Sequence, residues 1–220
     1  MSSNNELPDS STQEAATGRF SENLLRGIHD AAQPLTILRA SLGKDQTDRM
    51  SLIELRELAT SSAVEVERVC TFFNFLQQLV IIEAVKPQLS EMPIEPLVAY
   101  ATEGVNLLFA RDGMFLRTTI TDSCRPVLIN RARTLEALSG VLLVAHGASD
   151  AQDTIELIAS SSSSHAVNIL VRNANSHLET MHEEARLRLA LAEANLRSQH
   201  ATVSWSLQPF CVQIGLDEPL

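Results

Sequence analysis

Between Ser51 and Ala84 the positions Leu55, Leu58, Ser62, Val66, Val69, Phe73, Leu76 and Val80 follow one another three and four residues apart. That spacing lines side chains along one stripe of a helix, and it predicts a single helix over the whole stretch. At 1.5 Å per residue such a helix is about 50 Å long. A second helix precedes it, because Phe20, Leu24, Leu25, Ile28, Ala31, Ala32, Leu35, Leu38 and Leu42 also recur at helical spacing before "GKDQTD" breaks the pattern. The two form an antiparallel hairpin. A hairpin alone cannot cover broad apolar faces, so pairing with a second copy into a four-helix bundle is expected.

Upstream of the hairpin, residues 1–17 are polar and rich in Ser, Asn and Asp, a composition that cannot form a core. They are read as a disordered tail, with 18–86 as the helical hairpin and 87–220 as a second domain. After "KPQLSEMP" the periodicity changes. Ile94 to Ala110 reads as a helix, "MFLRTTIT" and "RPVLIN" as strands, and Arg131 to Gly147 as an apolar helix. "DTIELIASS" and "HAVNILVRN" alternate as strands around the serine run Ser160 to Ser164, a hairpin loop. Glu179 to Gln199 is a helix, and "ATVSWSL" with "FCVQIGL" forms a closing hairpin across Pro209. The fold class is therefore α+β: a helical hairpin followed by an α/β sandwich, a mixed sheet with helices on one face.

Charge and hydropathy narrow the function classes. The net charge of −10 leaves no basic patch for a phosphate backbone, so no nucleic-acid partner is expected. No apolar run reaches the length of a membrane span, and "MSSNNELPDSSTQEA" lacks a signal-peptide core, so a cytoplasmic protein with no membrane partner is expected. Cys70, Cys124 and Cys211 are odd in number and far apart, which suits reduced structural thiols.

One stretch of the first helix, "IHDAAQPLTIL", carries chemistry. If Ile28 and Leu35 lie on the buried seam, His29 projects beside it at the surface, with Gln33 one turn further on the same face. A neutral imidazole facing solvent is a competent nucleophile. Asp30 is rotated about 100° away and reaches the ring only by bending back. Pro34 removes a backbone donor and bends the helix just after the histidine.

"HDAAQPLTIL" resembles the H-box of the dimerisation and histidine-phosphotransfer domain of two-component sensor histidine kinases. In that box a histidine is followed by Asp or Glu, by Thr, Asn or Gln four residues on, and then by Pro-Leu. The resemblance covers roughly residues 18–217. It implies that His29 is the phospho-accepting histidine, Asp30 the neighbouring acid, and Gln33 the residue that positions a water in kinases with phosphatase activity. It also implies that the second domain is similar to the kinase ATPase (Bergerat-like) domain.

That second domain departs from the kinase pattern. Gly140 and Val144 stand where the N-x-x-x-N-A box has its asparagines for magnesium and nucleotide. "RNANS", with Asn173, Ala174 and Asn175, stands where D-x-G-x-G would hold the adenine. Between Gly147 and Gly215 there is no glycine, although a lid over phosphates needs backbone amides free of side chains. The combination resembles the ChpT-type histidine phosphotransferases of bacterial phosphorelays, which move a phosphoryl group between receiver-domain aspartates. No cofactor bound by this chain is expected; Mg²⁺ would come from the partner receiver domain. The implied partners are a second copy, response-regulator receiver domains and the receiver of an upstream hybrid kinase. The alternative is a non-catalytic pseudo-kinase that binds and regulates a response regulator or histidine kinase; a third reading is a cryptic kinase with an unusual nucleotide site.

The other motifs suggest no site. His146, His165, His177, His182 and His200 share no metal-binding spacing with carboxylates and read as surface residues. Trp205 reads as a packing residue, and Arg111, Asp112 and Gly113 as a turn.

Overall fold

The computed structural model describes residues 32–40, 51–121, 124–161, 165–176 and 181–218. The chain divides into two compact units, 1–77 and 78–220, the division falling within the second helix.

In the first unit, residues 32–40 are helical (α1) and Leu52–Ala84 forms the long helix α2, which continues into the second unit. A capping box starts α2: the Ser51 N–H donates to Glu54 Oε2 (2.6 Å) and the Glu54 N–H to Ser51 Oγ (3.4 Å). The Ser51 N–H, with the Ser51 side chain second, holds the Glu54 carboxyl below the usual carboxylate range. Because its folded value is depressed, the cap is intact at neutral pH and loosens as the pH falls through that range.

The stripe of α2 that turns inward differs in part from the one its sequence suggests. Leu58, Ser62, Val69 and Leu76 are wholly or partly buried as expected, but Leu55, Val66, Phe73 and Val80 are exposed, while Phe72, Phe75, Leu79 and Ile82 are buried. Adjacent apolar residues such as "TFFNF" and "LVII" offer the helix two stripes at the same spacing. Periodicity alone cannot choose between them.

In the second unit, Ser90–Met92 (β1) pairs antiparallel with Val127–Ile129 (β3) as a small sheet. Between them run the helix Ile94–Arg111 (α3) and the strand Phe115–Ile120 (β2). Then follow Arg131–Gly147 (α4), Thr154–Ser160 (β4), Val167–Asn173 (β5), Glu183–Arg197 (α5), Thr202–Leu207 (β6) and Phe210–Leu216 (β7). The main sheet has the order β2-β4-β5-β7-β6; β2 pairs parallel with β4 and the other neighbours are antiparallel. Ile155, Leu157 and Ala159 of β4, Val167, Ile169 and Val171 of β5, and Phe210, Val212 and Ile214 of β7 are fully buried in one core with the inner faces of α3, α4 and α5. The alternate residues form an outer face, where Glu156 of β4 pairs with Arg172 of β5 (2.7 Å) and Arg117 of β2 (3.9 Å). A mixed sheet with helices on one face is thus the observed architecture. Among the described elements, strand β1 is not announced by the sequence: it is a three-residue strand lying between Pro87 and Pro93.

Polar links set how α4 sits. Asn130 caps it by accepting from the Arg133 N–H (3.1 Å). The Arg133 guanidinium donates to the Ile82 and Val85 carbonyls at the end of α2 (3.3 and 2.6 Å) and to Ser198 Oγ (2.7 Å). Helix-terminal carbonyls lack intrahelical partners, so this charged donor satisfies them. Replacing Arg133 with Met should cost the second unit roughly 2 kcal/mol, a drop of several degrees in Tm by scanning calorimetry. Asn195 is buried on α5 with neither polar side-chain atom hydrogen-bonded. Such a carboxamide is destabilising by about 1–3 kcal/mol, so Asn195→Leu should raise Tm in the same measurement; a fall would mean that a buried water satisfies it.

Candidate functional site

His29 and Asp30 lie outside the described residues. Of the sequence-predicted site, Gln33 is described: it is exposed on α1, whereas the adjacent Pro34 and the later Leu38 are buried. Leu35, expected on the seam, is 47% exposed, because Pro34 and Leu38, four residues apart, take the inward positions. The Thr36 hydroxyl donates to the Ala32 carbonyl (2.7 Å), which ties the turn bearing Gln33 to itself. On α2, Leu52, Leu55, Val66 and Phe73 leave apolar side chains exposed along the helix, Phe73 at 56%.

The second locus lies where the kinase resemblance would seat a nucleotide. Val144 of α4 is buried in the core, and a Cβ on Gly140 would meet the Arg188 carbonyl at 3.7 Å and Ala192 Cβ at 3.9 Å on α5. Both positions therefore face packed protein. At the end of β5, Asn173 is fully buried and its carboxamide makes three hydrogen bonds within the chain. Its Nδ2 donates to Ser149 Oγ (2.7 Å) and Asp153 Oδ2 (2.9 Å), and its Oδ1 accepts from the Asn175 N–H (2.9 Å). Asn175 Nδ2 also reaches Asp153 Oδ1 (3.5 Å). The chain's own groups thus take both donor hydrogens of this carboxamide and one bond at its oxygen.

The connection from β5 to α5 is residues 174–182, and it holds no glycine. Ser176 is buried and its Oγ accepts from the Phe210 N–H (2.6 Å), while Met181 is buried in the core. Both described ends of this segment are fastened to the domain.

Among the described residues no group of His, Cys, Asp and Glu is arranged to hold a metal ion, and no helix is long and apolar enough to cross a membrane. Cys70, Cys124 and Cys211 are free thiols, and burial pushes that of Cys211 up, with Arg172 opposing. Two histidines read as plain surface residues are in fact engaged. His146 Nε2 meets Asp112 Oδ2 at 3.0 Å, and His165 is held between Asp217 and Thr202. Sequence separation hides both, since sheet and helix packing bring the partners together from 34 to 52 residues away.

Solved structures share this fold. Histidine kinase AdeS of Acinetobacter baumannii superposes with a TM-score of 0.62 at 17% identity, over 87% of this chain and 98% of that one. The fold is histidine-kinase-like. A histidine kinase from Burkholderia phymatum gives 0.51 at 14% identity, over 88% of this chain and 99% of that one. The cytoplasmic segment of histidine kinase QseC gives 0.53 at 13% identity, over 66% and 92%. No family model matches the sequence, and no curated protein matches it. A histidine-kinase-like fold at such low identity fixes architecture alone; the chemistry has to come from the residues.

Proposed function

We propose that this chain is a phosphorelay histidine phosphotransferase in two-component signalling: it takes a phosphoryl group from one receiver-domain aspartate onto His29 and passes it to another, without binding ATP. The observation that carries the reading is Asn173, which stands where the resemblance calls for the adenine-binding aspartate and is buried with three hydrogen bonds made inside the chain, in a protein whose H-box is complete. A nucleotide would have to displace Ser149, Asp153 and Asn175 to gain that contact.

The transfer itself asks little covalent chemistry of the protein. A neutral imidazole nitrogen of His29 attacks the phosphorus of the receiver's aspartyl phosphate, the P–N bond forms, the P–O bond to the carboxylate breaks, and the carboxylate stays on the receiver. Magnesium held by the receiver's acidic pocket neutralises the phosphoryl oxygens. Asp30 orients the ring. Exposed Gln33 would lie beside the reacting groups and can direct a water at the phospho-aspartate.

The helical hairpin is proposed to pair with a second copy as a four-helix bundle. The exposed apolar side chains Leu52, Leu55, Val66 and Phe73 are the support, since large apolar side chains left exposed along one helix suit an interface. Phe73→Glu should convert a dimer to a monomer by light scattering; an unchanged mass would remove these side chains from the interface.

The test of the function is transfer of labelled phosphate from a phosphorylated receiver domain to the purified protein, with ATP alone as the parallel arm. Acid-labile label arriving from the receiver and none from ATP supports the phosphotransferase. Label taken directly from ATP means a kinase. Receiver binding without label means the non-catalytic regulator.

A further inference from the structure

The main sheet carries a hydrogen-bonded polar cluster remote in sequence from the H-box. His165 precedes β5, Asp217 follows β7, and Thr202 opens β6. Gly215 pairs in register with Asn168 on one side and Thr202 on the other. Cross-strand partners share a face, so Gly215 leaves a slot between two side chains. The His165 ring fills it: a Cβ on Gly215 would come within 2.4 Å of His165 Cδ2 and 2.5 Å of Thr202 Oγ1.

Within the slot the hydrogen bonds form a chain. Asp217 Oδ1 lies 2.8 Å from His165 Nδ1, and Thr202 Oγ1 lies 3.2 Å from His165 Nε2. A carboxylate only accepts, so Nδ1 carries the hydrogen and Nε2 of the neutral ring carries the lone pair. The Thr202 hydroxyl then donates to Nε2. Asp217 is itself fixed, its carbonyl accepting from the Leu128 N–H (3.2 Å) and its neighbour Glu218 pairing with Arg125.

The backbone beside Thr202 supplies a donor. β6 is an edge strand, and the Val203 carbonyl accepts from Arg197 Nη2 (3.4 Å), so Val203 faces away from β7. In an antiparallel pair the N–H and C=O of one residue point the same way. The Val203 N–H therefore leaves by the free edge, one residue after the hydroxyl, with the Arg197 guanidinium, paired to Glu193 (2.7 Å), alongside. Hydroxyl, base, orienting acid and backbone donor are the parts of an acyl-transfer site.

We propose that Thr202 is a nucleophilic hydroxyl that accepts acyl groups from activated acyl donors, with His165 as its base and Asp217 as the positioning residue. In the step, the Thr202 hydroxyl proton moves to His165 Nε2 as Oγ1 forms a bond to the acyl carbon. The carbonyl electron pair moves onto oxygen, near the Val203 N–H. On collapse the pair on oxygen re-forms the carbonyl and the bond to the leaving group breaks, its electrons going with the leaving group; His165 returns its proton to the leaving group or to water. No metal or redox partner enters. The slot matters because it holds the ring in one orientation, and Thr202 is exposed, so a donor can reach it.

The experiment uses the full chain with His29 changed to Gln, so that this imidazole does not compete, and p-nitrophenyl acetate as the donor. Acetylation is located by peptide mass mapping, with melting curves of each variant as the check on folding. Thr202 should be acetylated with release of one p-nitrophenolate per acetyl group; Thr202→Ser should keep the label and Thr202→Val should lose it. His165→Gln should slow acetylation of position 202 by about 10²-fold or more, and Asp217→Asn should slow it while the protein melts as before. Acetyl groups confined to lysines and cysteines, or labelling of Thr202 at the same rate in a folded His165→Gln protein, would overturn the assignment.

Discussion

A His29→Gln protein is expected to accept no phosphoryl group from a phosphorylated receiver, while its far-ultraviolet spectrum, melting temperature and oligomeric mass stay those of the unchanged protein. Glutamine keeps a polar side chain of comparable reach, so the loss would be chemical. Its amide nitrogen has no lone pair free to attack phosphorus, and Gln33 and Thr36, four and seven residues further along the sequence, are neutral and poor nucleophiles. The loss should be complete within the detection of a labelling gel. Label persisting in the His29→Gln protein would move the relay residue elsewhere, and the first place to look would be His165. Gln33→Ala is the informative companion. It should leave acceptance by His29 intact, and if the amide directs water, it should lengthen the lifetime of the receiver's phospho-aspartate in the mixture.

The second large effect is on stability. Asn173→Asp changes one atom's chemistry at the position where the kinase resemblance calls for aspartate, and it should destabilise the second unit by roughly 3–5 kcal/mol at neutral pH. The reason is Asp153, whose Oδ2 accepts from Asn173 Nδ2 at 2.9 Å. An aspartate would set its own fully buried carboxylate against that of the partly buried Asp153, with one donor, the Asn175 N–H, still satisfied and both bonds from Nδ2 gone. Such a pair holds one proton between its members, and its shared pKa is raised. The destabilisation should therefore be greatest at neutral pH and shrink as the pH falls far enough for that proton to bind. Denaturant melts of both proteins at pH 7 and pH 5 measure it. Equal loss at both values would remove Asp153 as the cause. ATP binding should not return, since the aspartate would still face Asp153 and Ser149.

Much of this architecture is legible in the chain because local pattern and tertiary burial agree. Arg131–Gly147 is apolar at helical spacing and forms α4 with the bounds its sequence suggests; β4 and β5 alternate, and their alternate residues are the buried ones. Legibility fails where two answers satisfy the same pattern. Phe72 and Phe73 are equally apolar, and only packing puts the first inside. It fails again where geometry joins distant residues. His165, Thr202 and Asp217 are connected through the register of β5, β6 and β7, and nothing in their spacing signals it. The candidate relay site divides the same way: the H-box is visible as a string, whereas the reason Asn173 belongs where it does lies in Ser149 and Asp153, twenty and more residues upstream.

The short, glycine-free connection between β5 and α5 bears on timing. An enzyme that folds a long loop over its ligand has a closing step and an opening step, and these often limit turnover. A connection of residues 174–182 with Ser176 hydrogen-bonded and Met181 buried leaves little length for such a gate. The pace of a relay built on this chain would then follow the encounter of two proteins and their separation. With a net charge of −10 the encounter would feel ionic strength from a distance, and the flow of signal would respond to salt and partner concentration before it responded to nucleotide.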